Sequence, residues 1–74
     1  MEKFYTVVRI NYKGQTETHS VEHKATLKDA QKRFYNIIAA DFGDDTVTWC
    51  AAYLIDSDGN MMESRVFDKT GSEA

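Results

Sequence analysis

The amino-acid sequence predicts an α+β fold of order ββαββ, in which a single helix packs on one face of a four-stranded antiparallel sheet. Three observations lead to this prediction. The stretch from Thr26 to Phe42 has apolar residues at helical spacing. The segments on either side of it are rich in β-branched and aromatic residues, as strands are. Turns at Gly14 and Gly59 divide those segments into two hairpins.

The helix is predicted from apolar side chains that recur at i, i+3, i+4 and i+7 and therefore form one stripe. The stripe consists of Leu27, Ala30, Phe34, Ile37, Ile38 and Phe42. Thr26 is predicted to cap the helix, with Asp29 three residues later in a position like that of a capping box. Gly43 is predicted to end the helix as its C′ residue. We expect the apolar stripe to pack on the sheet.

The four strands are predicted at residues 3–12, 16–24, 46–55 and 61–68, the last of which could begin at 60. The second strand is polar and belongs at an edge, whereas the apolar first and third strands belong inside the sheet. This reasoning gives the spatial order 2-1-3-4, with every neighbouring pair antiparallel and a right-handed crossover through the helix. The alternative order 1-2-3-4 would bury the polar second strand. Residues 1–68 then form a single α+β domain, and residues 69–74 are predicted to be a flexible C-terminal tail.

Length, cysteine content and charge limit the possible settings. A chain of 74 residues makes one small domain, and its apolar runs are too short for a membrane span. With no leader-like start and one cysteine, the chain is expected in a reducing cytoplasm. Residues 1–35 hold seven basic and four acidic side chains, whereas residues 36–74 hold two and eight. Such asymmetry is typical either of a polyanion-binding half or of complementary neighbours in one domain, and the second is commoner.

The turns also predict which side chains face the helix, because a hairpin turn fixes the register of its strands. With Gly59 as a bulge residue, Asp56 pairs with Asn60 and Leu54 with Met62. The same construction at Gly14 pairs Ile10 with Thr16. The sheet residues predicted to face the helix are then Phe4, Thr6, Val8, Ile10, Cys50, Ala52, Leu54, Met62 and Val66.

The opposite face of the sheet is the predicted binding surface, because an extensive apolar surface rarely stays bare on a soluble monomer. It is also rich in the Trp, Tyr and Arg residues that dominate interface hot spots. We expect a homodimer or another protein partner to bind there; the alternatives are that the tail or sheet curvature covers the face, or that the register is off by one. The predicted partner-binding residues are Tyr5, Val7, Arg9, Trp49, Tyr53, Ile55, Met61, Arg65 and Phe67.

Single-stranded nucleic acid is the alternative ligand for the same face, because exposed sheets with aromatic residues stack unpaired bases. Tyr5, Trp49 and Tyr53 are the candidates for stacking. The acidic composition and the single helix argue against this alternative, since the electrostatic signature of nucleic-acid binding is weak. The candidates for phosphate contacts are Lys3, Arg9 and Arg65.

Possible metal ligands do not form a metal site in this sequence. Asp56, Asp58 and Asn60 have the first spacings of a calcium loop, but the Gly and Glu required later in the loop are missing. His19 and His23 lie four residues apart on a strand, which separates them by about 13 Å, too far to bind one ion. We therefore expect neither a metal nor a cofactor.

Nucleophiles and catalytic carboxylates are not apparent either. Cys50 is predicted to lie beneath the helix as a small hydrophobic residue. Asp41, Asp44 and Asp45 cluster after the helix and are expected to be solvated. The chain is therefore predicted not to be an enzyme and to have no catalytic residues.

The segment VTWCAAYLIDSDGNMMESRVF, following the helix, resembles small proteins of unknown function from phages and other mobile elements of gut Gram-positive bacteria. The resemblance covers residues 26–68 and consists of a short helix, a Val-x-Trp strand and an Asp-Gly-Asn hairpin. It implies a bacterial cytoplasmic setting and supplies no functional residues.

Overall fold

The structure, a computed structural model that describes residues 3–69, has the predicted ββαββ order. The strands are antiparallel in the order β2-β1-β3-β4, and the helix packs on one face of the sheet, which confirms the predicted fold. Residues 70–74 of the predicted tail lie outside the described residues. The elements are β1 (Tyr5–Lys13), β2 (Thr16–Lys24), α1 (Leu27–Phe42), β3 (Trp49–Asp56) and β4 (Met61–Asp68).

The helix α1 begins and ends where the sequence predicts, but Gly43 is its C-cap, in a right-handed conformation with a φ of −82°, rather than its C′ residue. The side-chain oxygen of Thr26 accepts a hydrogen bond from the backbone nitrogen of Asp29 at 3.2 Å, so Thr26 is the N-cap. At the other end, the backbone nitrogen of Gly43 donates to the carbonyl oxygen of Ala39 at 3.1 Å. Both caps satisfy backbone groups that the helix leaves unpaired.

The hydrophobic core lies between α1, β1 and β3. Phe34 is fully buried at its centre, and Leu27 and Ile38 pack at its margin. Phe42, predicted to belong to the same stripe, is instead 55% exposed, with its ring 5.0 Å from that of Phe67. The last turn of the helix therefore lies at the rim of the core. The buried core cluster consists of Val7, Ala30, Phe34, Ile37, Ala52 and Leu54.

The first hairpin has a shorter turn than predicted. Lys13 pairs with Thr16, so only Gly14 and Gln15 form the loop, and Ile10 pairs with His19 rather than with Thr16. Gly14 has a φ of 67°, the left-handed conformation that a two-residue hairpin loop requires at its first position. The predicted bulge at this turn is wrong, and with it the assignment of the faces of β1.

The faces of β1 are the reverse of those predicted. Val7 lies in the core and Tyr5 packs against it, whereas Val8 and Ile10 point away from α1. Both faces of β1 carry apolar side chains, so hydrophobicity alone does not distinguish them. A polar contact favours the observed face, because Arg9 on the helix side reaches a carboxylate of α1.

The second hairpin has the predicted turn but an additional irregularity beyond it. The backbone nitrogen of Asp56 donates to the carbonyl oxygen of Asn60 at 3.0 Å, and Gly59 has a φ of 89°, as expected for the bulge residue. The register then shifts between Leu54 and Ile55, so that Leu54 pairs with Glu63 instead of the predicted Met62. One extra residue in β4 moves every later side chain to the other face.

Candidate functional site

The open face, defined as the side of the sheet turned away from α1, consists of four rows of side chains that cross all four strands. Its membership follows from the observed pairing and from the alternation of side chains along each strand. In the order β2-β1-β3-β4 the rows are Glu17–Tyr12–Trp49–Asp68, His19–Ile10–Ala51–Val66, Val21–Val8–Tyr53–Ser64 and His23–Thr6–Ile55–Met61.

The predicted partner-binding residues are divided between the two faces. The four that lie on the open face are Trp49, Tyr53, Ile55 and Met61. The five that lie on the helix side, where their predicted placement is wrong, are Tyr5, Val7, Arg9, Arg65 and Phe67. The two-residue turn at Gly14 reverses the face on which Tyr5, Val7 and Arg9 lie. The bulge in β4 does the same for Arg65 and Phe67.

The open face also contains apolar side chains that are not predicted to lie there. Val8 and Ile10 of β1, predicted beneath the helix, are half-buried at its centre. Val21, Met61 and Val66 are 58%, 54% and 53% exposed, respectively. The face is therefore largely apolar on its inner strands β1 and β3, with an apolar residue on each edge strand, although its residues differ from those predicted.

The electrostatics of the open face are weak. Its four rows, all within the described residues, contain no lysine or arginine. Glu17 contacts His19 at 2.7 Å, and the charge of Glu17 raises the pKa of Tyr12. His23 packs edge-on against the ring of Phe4, with centroids 5.6 Å apart. The charged side chains thus lie on the two edge strands, around an uncharged centre.

Asp41 lies at the C-terminal end of α1 and is buried, contrary to the prediction that it is solvated. It accepts hydrogen bonds from Arg9 Nε at 3.0 Å and from Asn11 Nδ2 at 3.2 Å, and also contacts Arg9 Nη2. Asp41 and Asn11 are each only 2% exposed, and hydrogen bonding to Asp41 raises the pKa of Arg9. The spacing of residues in α1 indicates this burial, because Asp41 follows Phe34 by seven residues and therefore lies on the same face of the helix.

Lys69, predicted to belong to the flexible tail, is instead fixed to the end of the helix. Its ammonium group donates to the carbonyl oxygens of Phe42 and Asp44 at 2.8 Å and of Asp41 at 3.2 Å. Its backbone nitrogen donates to the carbonyl oxygen of Thr48 at 2.8 Å. A cation here favourably meets the negative end of the helix dipole.

The residues considered for chemistry have structural partners. Asp56 accepts hydrogen bonds from the backbone nitrogens of Asp58 and Asn60 at 2.9 Å, and the bond from Asn60 lowers the pKa of Asp56. Its oxygen atoms thus stabilise the turn. Cys50 is buried, which raises the pKa of its thiol and makes it a poor nucleophile. Within residues 3–69 no three potential metal ligands come together.

An ion pair connects β2 to the exposed side of α1 and bears on acid stability. Arg33 Nε donates to Glu22 at 2.8 Å, and Lys24 lies 3.5 Å from the same carboxylate. These neighbours, Arg33 above all, lower the pKa of Glu22. Because the folded-state pKa is lower, the stabilisation is present above the unfolded pKa of about 4.3 and is lost as the pH falls through the folded value.

We therefore expect Glu22→Gln to lower the urea midpoint of unfolding at pH 7 and to have progressively less effect as the pH falls from 5 to 3. Urea titrations monitored by circular dichroism at several pH values measure this difference. Asp45→Asn is the control, since Asp45 is exposed and is predicted to affect stability little. An equal effect of Glu22→Gln at pH 7 and pH 3 would contradict the assigned ion pair.

Within the described part of the chain, no helix has the length and apolar character needed to cross a membrane. Comparison with protein-family models, curated proteins and solved structures found no match to this chain.

Proposed function

We propose that this chain is a non-enzymatic binding module that forms a homodimer by packing its open face against that of a second copy. The observation that carries the proposal is the open face itself, which is largely apolar on its two inner strands and contains no lysine or arginine. We also propose a reducing cytoplasm as its setting, in keeping with a lone, buried Cys50.

The size of the open face supports a dimer. Four strands and four rows cover roughly 19 Å by 26 Å, from about 4.8 Å between strands and about 6.6 Å between rows. Two such faces would bury at least about 1,000 Å² in total, which reaches the lower limit for a specific interface. Sheets that pack face to face also form a recurrent architecture, with their inner side chains interdigitated in a layer about 10 Å thick.

The charge distribution supports a second copy as the partner. The open face carries two carboxylates, Glu17 and Asp68, and two imidazoles, His19 and His23, all on the edge strands. A face without a large excess of one charge can meet its own copy without strong repulsion. A strongly charged partner, by contrast, would find no opposite field to attract it.

The structure gives less support to nucleic-acid binding than the sequence does. Arg9 is bound to Asp41 on the helix side, and Arg65 also lies on that side. Lys3, the third candidate for phosphate contacts, precedes the first strand. Bases stacked on Trp49 or Tyr53 would therefore have no arginine or lysine of the open face beside them to neutralise the phosphates.

The proposal is tested by introducing a charge at the centre of the open face. Tyr53→Glu is expected to weaken dimerisation by at least about 100-fold, because an unpaired carboxylate would be buried in the interface. Light scattering should give twice the chain mass of 8.5 kDa for the original protein and a single chain mass for Tyr53→Glu. Circular dichroism should be the same for both, because the helix-side core is unchanged.

Asn36→Glu is the matched control, because it introduces the same charge on the exposed side of α1 and should leave the dimer mass unchanged. The original protein behaving as a single chain at millimolar concentration would overturn the proposal. A dimer unaffected by Tyr53→Glu would overturn it as well. A salt-sensitive complex with single-stranded RNA, formed by a monomeric chain, would favour the nucleic-acid alternative.

A further inference from the structure

We infer that the two-fold axis of the dimer crosses the strands, so that β2 of one copy lies over β2 of its partner and the two copies run antiparallel. This inference rests on the proposed dimer and specifies its geometry. Sheets that pack in the aligned class keep their strands within about 30° of each other. A two-fold axis within such an interface therefore runs either approximately along the strands or approximately across them.

The charges on the edge strands distinguish the two axes. An axis along the strands places β2 over the partner's β4 and keeps the order of the rows. Glu17 would then face the partner's Asp68, and symmetry would repeat this contact between like charges. An axis across the strands reverses the order of the rows, so that Glu17 faces the partner's His23. By symmetry this contact between Glu17 and His23 occurs twice, and no two carboxylates face each other.

The two large rings at one end of the inner strands, those of Tyr12 and Trp49, favour the same axis. With the axis across the strands, Tyr12 lies opposite the partner's Thr6, so that a large side chain meets a small one. With the axis along the strands, Tyr12 would lie opposite the partner's Trp49, and two large rings would hold the sheets apart. Interdigitation of large and small side chains allows the spacing of about 10 Å that is usual between packed sheets.

The distances between the hairpin loops of the two copies differ between the two axes. Gln15 lies in the loop between β1 and β2, and Asp58 lies in the loop between β3 and β4, at the opposite end of the sheet. Strands of nine residues span about 30 Å. An axis across the strands therefore brings Gln15 of one copy near the partner's Asp58 and separates the two copies of Gln15. An axis along the strands brings the two copies of Gln15 together.

The test uses spin labels and electron paramagnetic resonance distances in a Cys50→Ala background that light scattering verifies to be dimeric. Labels on Gln15→Cys in both copies are expected to lie at least about 30 Å apart. In a mixed dimer, labels on Gln15→Cys in one copy and Asp58→Cys in the other are expected to lie within about 20 Å. Both positions are exposed loop residues, so the labels should not disturb the core.

The possible failures are distinguishable. A dimer in which the two Gln15 labels lie within about 20 Å would overturn the inferred axis and leave the proposed dimer intact. A single chain mass for the original protein at millimolar concentration would overturn the proposed function, and the inferred axis with it.

Discussion

Phe34→Ala is expected to lower the free energy of unfolding by about 3 to 5 kcal/mol, enough to unfold much of the population of so small a domain. The ring of Phe34 is fully buried between α1 and the sheet, so its removal leaves a cavity in the only core cluster found within residues 3–69. Urea or thermal unfolding followed by circular dichroism measures the effect. Lys32→Ala is the control, because Lys32 is exposed on the same helix and should change stability little. An unchanged midpoint for Phe34→Ala would show that Phe34 is not part of the core.

Asp41→Ala is expected to destabilise the fold by about 3 kcal/mol, because it leaves a partly buried arginine and a buried asparagine without their acceptor. Arg9 retains some access to water, which places the effect at the lower end of the range for broken buried ion pairs. Denaturant unfolding provides the measurement.

The double variant Arg9→Met/Asp41→Leu tests whether the loss comes from an unpaired charge. Replacing both charges with apolar side chains removes the unpaired guanidinium, so the double variant should be more stable than the sum of the two single effects predicts. Strictly additive effects of the two single replacements would contradict the assigned ion pair.

The elements and their order could be predicted from the sequence because local signals agree with the global fold. The stripe around Phe34, the cap at Thr26 and the glycines at 14 and 59 each mark an element or a turn, and the polarity of β2 places it at an edge. These signals depend on composition and spacing, which a shift of one residue in strand pairing does not alter.

The assignment of side chains to faces could not be predicted reliably, because it depends on exact pairing. Gly14 fits both a bulged turn and a two-residue loop, and the shift beside Leu54 has no clear signal in the local sequence. The hydrogen bonds from Arg9 and Asn11 to Asp41 join residues about 30 positions apart, which local pattern analysis does not detect.

The sequence nevertheless predicts an open apolar face, for a reason independent of register. β1 has apolar side chains on both faces, such as Val7 on one and Val8 on the other, and β3 has Leu54 and Tyr53 in the same way. A single helix covers only one face of the sheet. Whichever face the helix covers, the other face remains apolar. An open apolar face is therefore present as predicted, although five of the nine residues predicted to form it lie on the helix side.

The most direct measurement is the fluorescence of Trp49 as a function of protein concentration. Trp49 is the sole tryptophan in the sequence and lies on the open face in edge-on contact with Tyr12. If that face forms the dimer, dilution should shift the emission of Trp49 to longer wavelength as the molar mass halves, with the far-ultraviolet circular dichroism unchanged. Emission that stays constant while the molar mass halves would contradict the assignment of the open face as the interface.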